Sequence, residues 1–339
     1  MTKLYCKKYN DYMQSQQEKK LPEVDINKLK TILKTCRRDC PCRKGITGGG
    51  GGEEEEALAV PKCTDRCPVC DGSSFFPSLL NGMSEVVAYF NDRARKLIEL
   101  HRASSFKKYF LSFKTKLCGQ QHIDHIQEGK DLVTYALITS TVIHKILEKY
   151  DKIHYSKQGQ LFKSRAQSMH VEILRSPWLL ELMAFHINLR EAKSESMNKE
   201  SNNSFDGYYL TFKDNKPSLT FEHFDSTKLD IELTCSICLD TVFDPVCLTC
   251  GHIFCYTCAC SSASVAIVDG LKASNSAAKC PLCRVGGVYQ GAIRLEELNI
   301  LLGRSCQEYW EQRLQTERIE RVKQIKEYWE SQCRAFIGV

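Results

Sequence analysis

Leu29, Ile32, Leu33 and Cys36 recur at i, i+3, i+4 and i+7, which places their side chains on one face of a helix. This spacing predicts a helix over residues 24–38, with Pro22 before it and Pro41 after it as boundaries. A longer stripe follows: Leu79, Met83, Val86, Phe90, Leu97 and His101, then Phe106, Tyr109, Phe110 and Phe113. From Asp131 to Lys152 a second long stretch sets Ile143, Ile146, Leu147 and Tyr150 in one line. Joined near Gly119, the two predict a pair of long helices in an elongated helical-hairpin bundle. A further amphipathic segment runs from about Gly159 to Arg190, where Pro177 should bend or break the helix.

The pattern then changes. KSESMNKESNNS, residues 193–204, is polar and reads as a linker, whereas YYLTFKDNKPSLTFEHF alternates about an Asp-Asn-Lys-Pro turn and predicts a hairpin. Cysteines crowd residues 230–290. From Arg294 to Phe336 helical spacing returns in a charged stretch bearing Leu295, Leu298, Leu302, Tyr309, Ile319, Val322 and Trp329. This helix either pairs with its copy in a homodimer or folds back on the bundle; its positions keep no single heptad register, which counts against the homodimer. GITGGGGGEEEEALAVPK, of low complexity, reads as a flexible loop. The expected organisation is mainly α: a helical domain over 1–166, a connector with linker and hairpin over 167–229, a small α+β module over 230–290, and a long C-terminal helix over 291–339.

Composition narrows the chemistry. No apolar stretch near the start resembles a secretory signal. The run Leu132–Ile143, with four Ser/Thr hydroxyls, is too short to span a bilayer. An intracellular, soluble protein is expected, in the cytoplasm or nucleus, associating with the plasma membrane through its substrates. Nineteen cysteines without an export signal argue for thiols that bind metal rather than for disulfides. The net charge is +6, yet residues 1–44 alone carry twelve Lys/Arg against five Asp/Glu, which points to an anionic partner for the N-terminal region.

The cysteine module reads Cys235-x2-Cys238, eleven residues, Cys250-x-His252-x2-Cys255-x2-Cys258, twenty-one residues, Cys280-x2-Cys283. Eight soft ligands suffice for two tetrahedral Zn2+ ions. So small a module buries little core, and metal binding must supply much of its folding free energy. Elsewhere, Lys30 and Lys34 stand four apart, and Lys145, Lys149 and Lys152 fall within about 60° of one helix face. If the two helices pack through their apolar stripes, five lysines converge on one polyanion; otherwise these are two solvated helix faces. The basic faces lack interleaved aromatics and no base-reading motif is visible, so nucleic acid is not an expected partner.

With His252 in fourth place, the ligand order resembles a RING domain of the C3HC4 type. That resemblance implies interleaved pairing: Cys235, Cys238, Cys255 and Cys258 on one zinc; Cys250, His252, Cys280 and Cys283 on the other; Cys247 and Cys260 spare. It also implies roles for Ile237 and Pro281 in docking a ubiquitin-conjugating enzyme. Arg284 falls at the family's linchpin position, where a guanidinium bridges that enzyme and its linked ubiquitin. KLYCKKYNDYMQ, VDINKLKTILK and IHKILEKYDK resemble the three stretches of an SPX domain, a helical bundle that binds inositol polyphosphates and pyrophosphates. Carried over, this names Lys30, Lys34, Lys145, Lys149 and Lys152, with Lys3 a further candidate. Two positions depart from the pattern: Glu148 stands where a lysine is usual, and Ile26 replaces an aromatic.

An SPX domain followed by a RING domain resembles the plant nitrogen-limitation-adaptation type of ubiquitin ligase, and CPVCDGSSFFPSLL and EYWEQR…EYWESQC extend the likeness over nearly the whole chain. It implies a RING ligase that acts in phosphate homeostasis on membrane phosphate transporters, with no covalent ubiquitin intermediate on its own cysteines. The competing reading is a phosphate-sensing adaptor whose zinc module only docks partners. Cys63-x3-Cys67-x2-Cys70, with Cys36, Cys40 and Cys42 upstream, supplies thiols either for a third zinc site or for an unpaired cysteine-rich loop.

Overall fold

The computed structural model describes residues 2–16, 19–39, 74–110, 119–154, 157–196, 207–214, 216–223 and 227–337. The glycine–glutamate stretch and Cys40, Cys42, Cys63, Cys67 and Cys70 lie outside them. The chain divides into two units: Met1–Asp92 with Tyr135–Leu174, and Arg93–Thr134 with Arg175–Val339.

In the first unit, α1 (Thr2–Ser15), α2 (Ile26–Asp39) and α5 (Gln158–Ser168) surround the N-terminal half of α3 (Phe75–Phe110) and the C-terminal half of α4 (Gly119–His154). Most of the described stripe positions bury; Ile32 and His101 are half-buried, and the side chains of Phe106, Tyr109 and Phe110, with Phe113, lie outside the described residues. Leu29, Leu33 and Cys36 of α2, Leu79, Met83, Val86 and Phe90 of α3, and Ile143, Ile146, Leu147 and Tyr150 of α4 are all core residues. Two tyrosines pin the α1–α2 connection: Tyr9 Oη accepts the amide of Val24 at 3.1 Å, and Tyr135 Oη donates to the Pro22 carbonyl. Tyr150 packs on Phe75 and Phe76, and Phe76 stacks on Phe162. Asp151 accepts the amides of Gly159 at 2.6 Å and Gln160 at 3.2 Å, capping α5 from another helix.

In the second unit, Pro177 occupies the first position of α6 (Pro177–Ser196), where its missing N–H costs nothing, and a 3-10 turn over Ile173–Arg175 separates it from α5. The expected hairpin forms, β1 (Tyr208–Lys213) against β2 (Lys216–His223), with Lys213 opposite Lys216 and Asp214 at φ 50°. A third strand, β3 (Thr227–Glu232), extends the sheet antiparallel. Next come β4 (Pro245–Cys247), β5 (Ile253–Cys255), α7 (Tyr256–Ser262) and β6 (Ile293–Arg294), with β4 central in a three-stranded sheet.

The stretch read as one helix from Arg294 onward is two, α8 (Glu296–Ser305) and α9 (Gln307–Ile337), broken at Cys306. The two halves answer to different surfaces. α8 buries Leu298, Leu301 and Leu302 and packs against α6. α9 instead lies along the cysteine module: Trp310 packs on Phe243 at 4.5 Å, Tyr309 Oη donates to the Thr241 carbonyl, and Arg321 pairs with Asp244 at 2.8 Å. No helix among the described residues is long and apolar enough to cross a membrane.

Candidate metal centre and basic helix face

Two chain reversals in the cysteine module share one backbone plan. In Cys235-Ser-Ile-Cys238, the Leu239 amide donates to the Cys235 carbonyl at 2.8 Å and the Cys235 amide to the Asp240 carbonyl at 2.8 Å. In Cys280-Pro-Leu-Cys283, the Arg284 amide donates to the Cys280 carbonyl and the Cys280 amide to the Val285 carbonyl, both at 2.9 Å. The residue after each second cysteine takes a left-handed conformation: Leu239 at φ 65° and Arg284 at φ 62°. For L residues this is strained, and it is held because both thiols of each turn must face one point.

Each turn meets a second pair from the β4–β5–α7 segment. Cys235, Cys238, Cys255 and Cys258 form one group and Cys250, His252, Cys280 and Cys283 the other, with all ligand atoms of a group within 4.8 Å of one another. These are the interleaved sets that the family resemblance implied.

The geometry fits zinc. A tetrahedral ion with Zn–S bonds of about 2.3 Å sets its thiolates about 3.8 Å apart and a sulfur about 3.5 Å from an imidazole nitrogen. Cys238 and Cys255 Sγ lie 3.7 Å apart, and His252 Nδ1 lies 3.4 Å from Cys250 Sγ and 3.6 Å from Cys280 Sγ.

The donor chemistry agrees. Hydrogen bonds from Cys255 and Cys258, with backbone amides, hold the Cys235 thiol far below its ordinary range, while proximity to Cys235 pushes Cys255 far above it. Likewise a hydrogen bond from Cys250 draws Cys280 down to about 3 and pushes Cys250 up. Crowded thiols that cannot all ionise by themselves are a set that a divalent cation ionises together. Cys247 and Cys260 are buried outside both groups; burial lifts Cys247 to about 12, so it stays a neutral core thiol.

The second group depends on one glycine. Gly251, between Cys250 and His252, sits at φ +79°, and a Cβ there would lie 2.6 Å from Arg175 Cβ and 2.9 Å from the Arg175 carbonyl oxygen. Only glycine fits both the torsion and the space.

Around the paired turns, Ile237 is 40% exposed, Pro281 half-buried, and Arg284 exposed. Leu282, which sequence reading did not single out, occupies the position equivalent to Ile237 and is 50% exposed. The repeated C-x-[Ile/Leu]-C pattern is the signal that could have found it.

A family model for RING-type zinc fingers matches residues 235–281. The chain is 56% identical, over 99% of both chains, to E3 ubiquitin-protein ligase NLA of Arabidopsis thaliana. It is 55% identical, again over 99% of each, to probable E3 ubiquitin-protein ligase BAH1-like 1 of Oryza sativa subsp. indica. The chain belongs to the NLA/BAH1-type family of RING ubiquitin ligases. Outside that family, tripartite motif-containing protein 26 of Homo sapiens is 45% identical over 56 residues, 16% of this chain and 9% of that one. No solved structure matches. The four-thiol group and the group of three thiols and one imidazole thus fit the two Zn2+ ions of a RING zinc finger.

The lysines named from the sequence belong to the first unit. Lys30 is half-buried and Lys34 exposed on α2; Lys145 and Lys149 are half-buried and Lys152 exposed on α4. The Lys3 side chain lies outside the described residues. Lys145 Nζ stands 5.8 Å from the centre of the Tyr5 ring, tying the basic face of α4 to α1. Glu148, the departure noted in the sequence, takes up part of that charge, accepting from Lys145 at 3.1 Å and from His144 at 2.9 Å. Burial works against its ionisation, but these neighbours overcome it and hold the carboxyl below its ordinary range. Ile26 is 2% exposed and belongs to the core. Lys163 of α5 adds a cation that sequence spacing missed. After burial, it is the main influence lowering the proton affinity of His144.

Proposed function

We propose that the RING module recruits a ubiquitin-conjugating enzyme at the surface carrying Ile237, Pro281 and Leu282, and that Arg284 orients the enzyme's linked ubiquitin for transfer to substrate lysines. The observation that carries this is the pair of matching turns. Their shared backbone plan leaves apolar side chains exposed on both, Ile237 and Leu239 on the first and Leu282 on the second, and Arg284, which follows the second turn, is exposed as well. A reconstituted ubiquitination reaction tests it. Ubiquitin chains should vanish in Arg284→Ala and Ile237→Ala with both zincs retained, and unchanged chains in both variants would leave the module an adaptor's docking site.

We further propose that residues 1–166 form an SPX domain whose Lys30, Lys34, Lys145, Lys149 and Lys152, with Lys3, bind an inositol polyphosphate or pyrophosphate. In this reading the ligand tunes a ligase of phosphate homeostasis whose substrates are membrane phosphate transporters, as the family resemblance implies. Lysines on two helices suit a phosphate cluster as mobile point charges. The Lys145–Glu148 pair should make Lys149 and Lys152 matter more than Lys145. Calorimetry of the full chain with an inositol pyrophosphate should show affinity lost in Lys149→Ala and Lys152→Ala; equal affinity would make these solvated lysines.

A further inference from the structure

The face of α9 turned from the RING module is apolar. Toward the module it offers Arg313, Glu317, Arg321 and Tyr328, which bond to Asp240, Thr257, Asp244 and Asp269. On the opposite side, Ile319, Val322, Trp329 and Phe336 are 73%, 67%, 56% and 93% exposed. With Lys326 and exposed Cys333 they follow a strict alternation of three and four residues, the a and d positions of a heptad, along about 26 Å of helix. The whole C-terminal stretch showed no single register because its module-facing apolar residues, such as Tyr309, belong to a different face.

We propose that this stripe pairs antiparallel with the same stripe of a second copy of the chain. Charge selects both occupant and direction. In a parallel pair Lys326 would face the partner's Lys326 at a core position, and Arg318 at g would approach the partner's Lys323 at e. In the antiparallel register that sets Ile319 against the partner's Phe336, Val322 meets the partner's Cys333 and Lys326 meets the partner's Trp329, a cation over an indole face. The flanking e positions then join Lys323 to the partner's Glu330, twice by symmetry. Lys323 thus exchanges a like charge for an opposite one, and Lys326 no longer faces its own copy. The two-fold axis falls between residues 327 and 328, C-terminal to nearly all of the module contacts, so each copy keeps its own RING module while sharing the seam.

This pairing is independent of the ligase reading. Sedimentation of the full-length protein should give a dimer, and Trp329→Glu a monomer with unchanged helix content and two zincs; a monomeric wild type, or a dimeric Trp329→Glu, overturns the proposal. Lys323→Glu or Glu330→Lys alone should weaken dimerisation on the order of tenfold, and the double exchange should restore it. Failure of the double exchange to restore the dimer overturns the antiparallel register. Under oxidation, Val322→Cys should cross-link two chains through Cys333 and lose the cross-link in Val322→Cys/Cys333→Ser. A cross-link that survives Cys333→Ser means a parallel pair and also overturns it.

Discussion

At the residue scale, two positions separate folding from transfer. Gly251 serves only the metal centre, since any side chain there strikes Arg175 and forces a left-handed torsion. Gly251→Ala should destabilise the RING module by roughly 2–3 kcal/mol and weaken zinc binding in the Cys250–His252–Cys280–Cys283 group first. Native mass spectrometry under increasing chelator should show a one-zinc species in this variant before it appears in the wild type. Arg284 poses the reverse case. Its φ of 62° suits glycine better, so Arg284→Gly should raise the unfolding free energy by up to about 1 kcal/mol while abolishing transfer. Chemical denaturation beside a ubiquitination assay measures both effects, and a variant that is inactive merely because it is unstable would contradict the assignment.

At the scale of elements, helix ends are satisfied by acids from other helices. The clearest is Glu181 of α6, fully buried, which accepts the amides of Glu297 and Leu298 at 3.1 Å each, caps α8 and takes an ion pair from Arg102 at 2.7 Å. Burial raises its pKa to about 7 against those stabilising contacts. A carboxyl whose folded pKa exceeds its unfolded value of 4.5 holds its proton in the folded state over that interval, so stability falls as pH rises from 4.5 to about 7. The loss amounts to about 3 kcal/mol at most. The stability difference between wild type and Glu181→Gln, measured by urea denaturation across this interval, should therefore shrink with rising pH; a flat difference would refute the shift. Along α9, Glu317 is 7% exposed and holds Arg313 at 3.1 Å and Thr257 at 3.1 Å. Glu317→Ala should cost roughly 1–2 kcal/mol, visible as a lowered melting temperature, because Thr257 loses its acceptor and Arg313 and Arg321 keep only Asp240 and Asp244.

For the whole molecule, the two units draw stability from different sources. The first buries aliphatic and aromatic stripes of α1, α2, α5 and its parts of α3 and α4; the RING module of the second is organised around two groups of ligands. Exhaustive chelation should unfold the 235–294 segment and change Trp310 fluorescence as its contact with Phe243 is lost, while far-ultraviolet circular dichroism keeps most of its helical signal. Uniform loss of helix would mean that the first unit depends on the metal as well.

The residue types and their spacing along the chain determined the eight ligands, the buried faces of α2, α3 and α4, the break at Pro177 and the β1–β2 turn, because each is encoded within a few neighbouring residues. Spacing alone left the pairing of ligands open, and only the family likeness ordered them before the turns were seen to converge. Tertiary structure alone decided that α9 rests on the RING module, that Leu282 matches Ile237, that Lys163 joins His144, and that Glu181 reaches across to cap α8. Such contacts join positions up to more than a hundred residues apart. Periodicity says which face of an element is apolar, and the choice of what that face meets belongs to the assembled core.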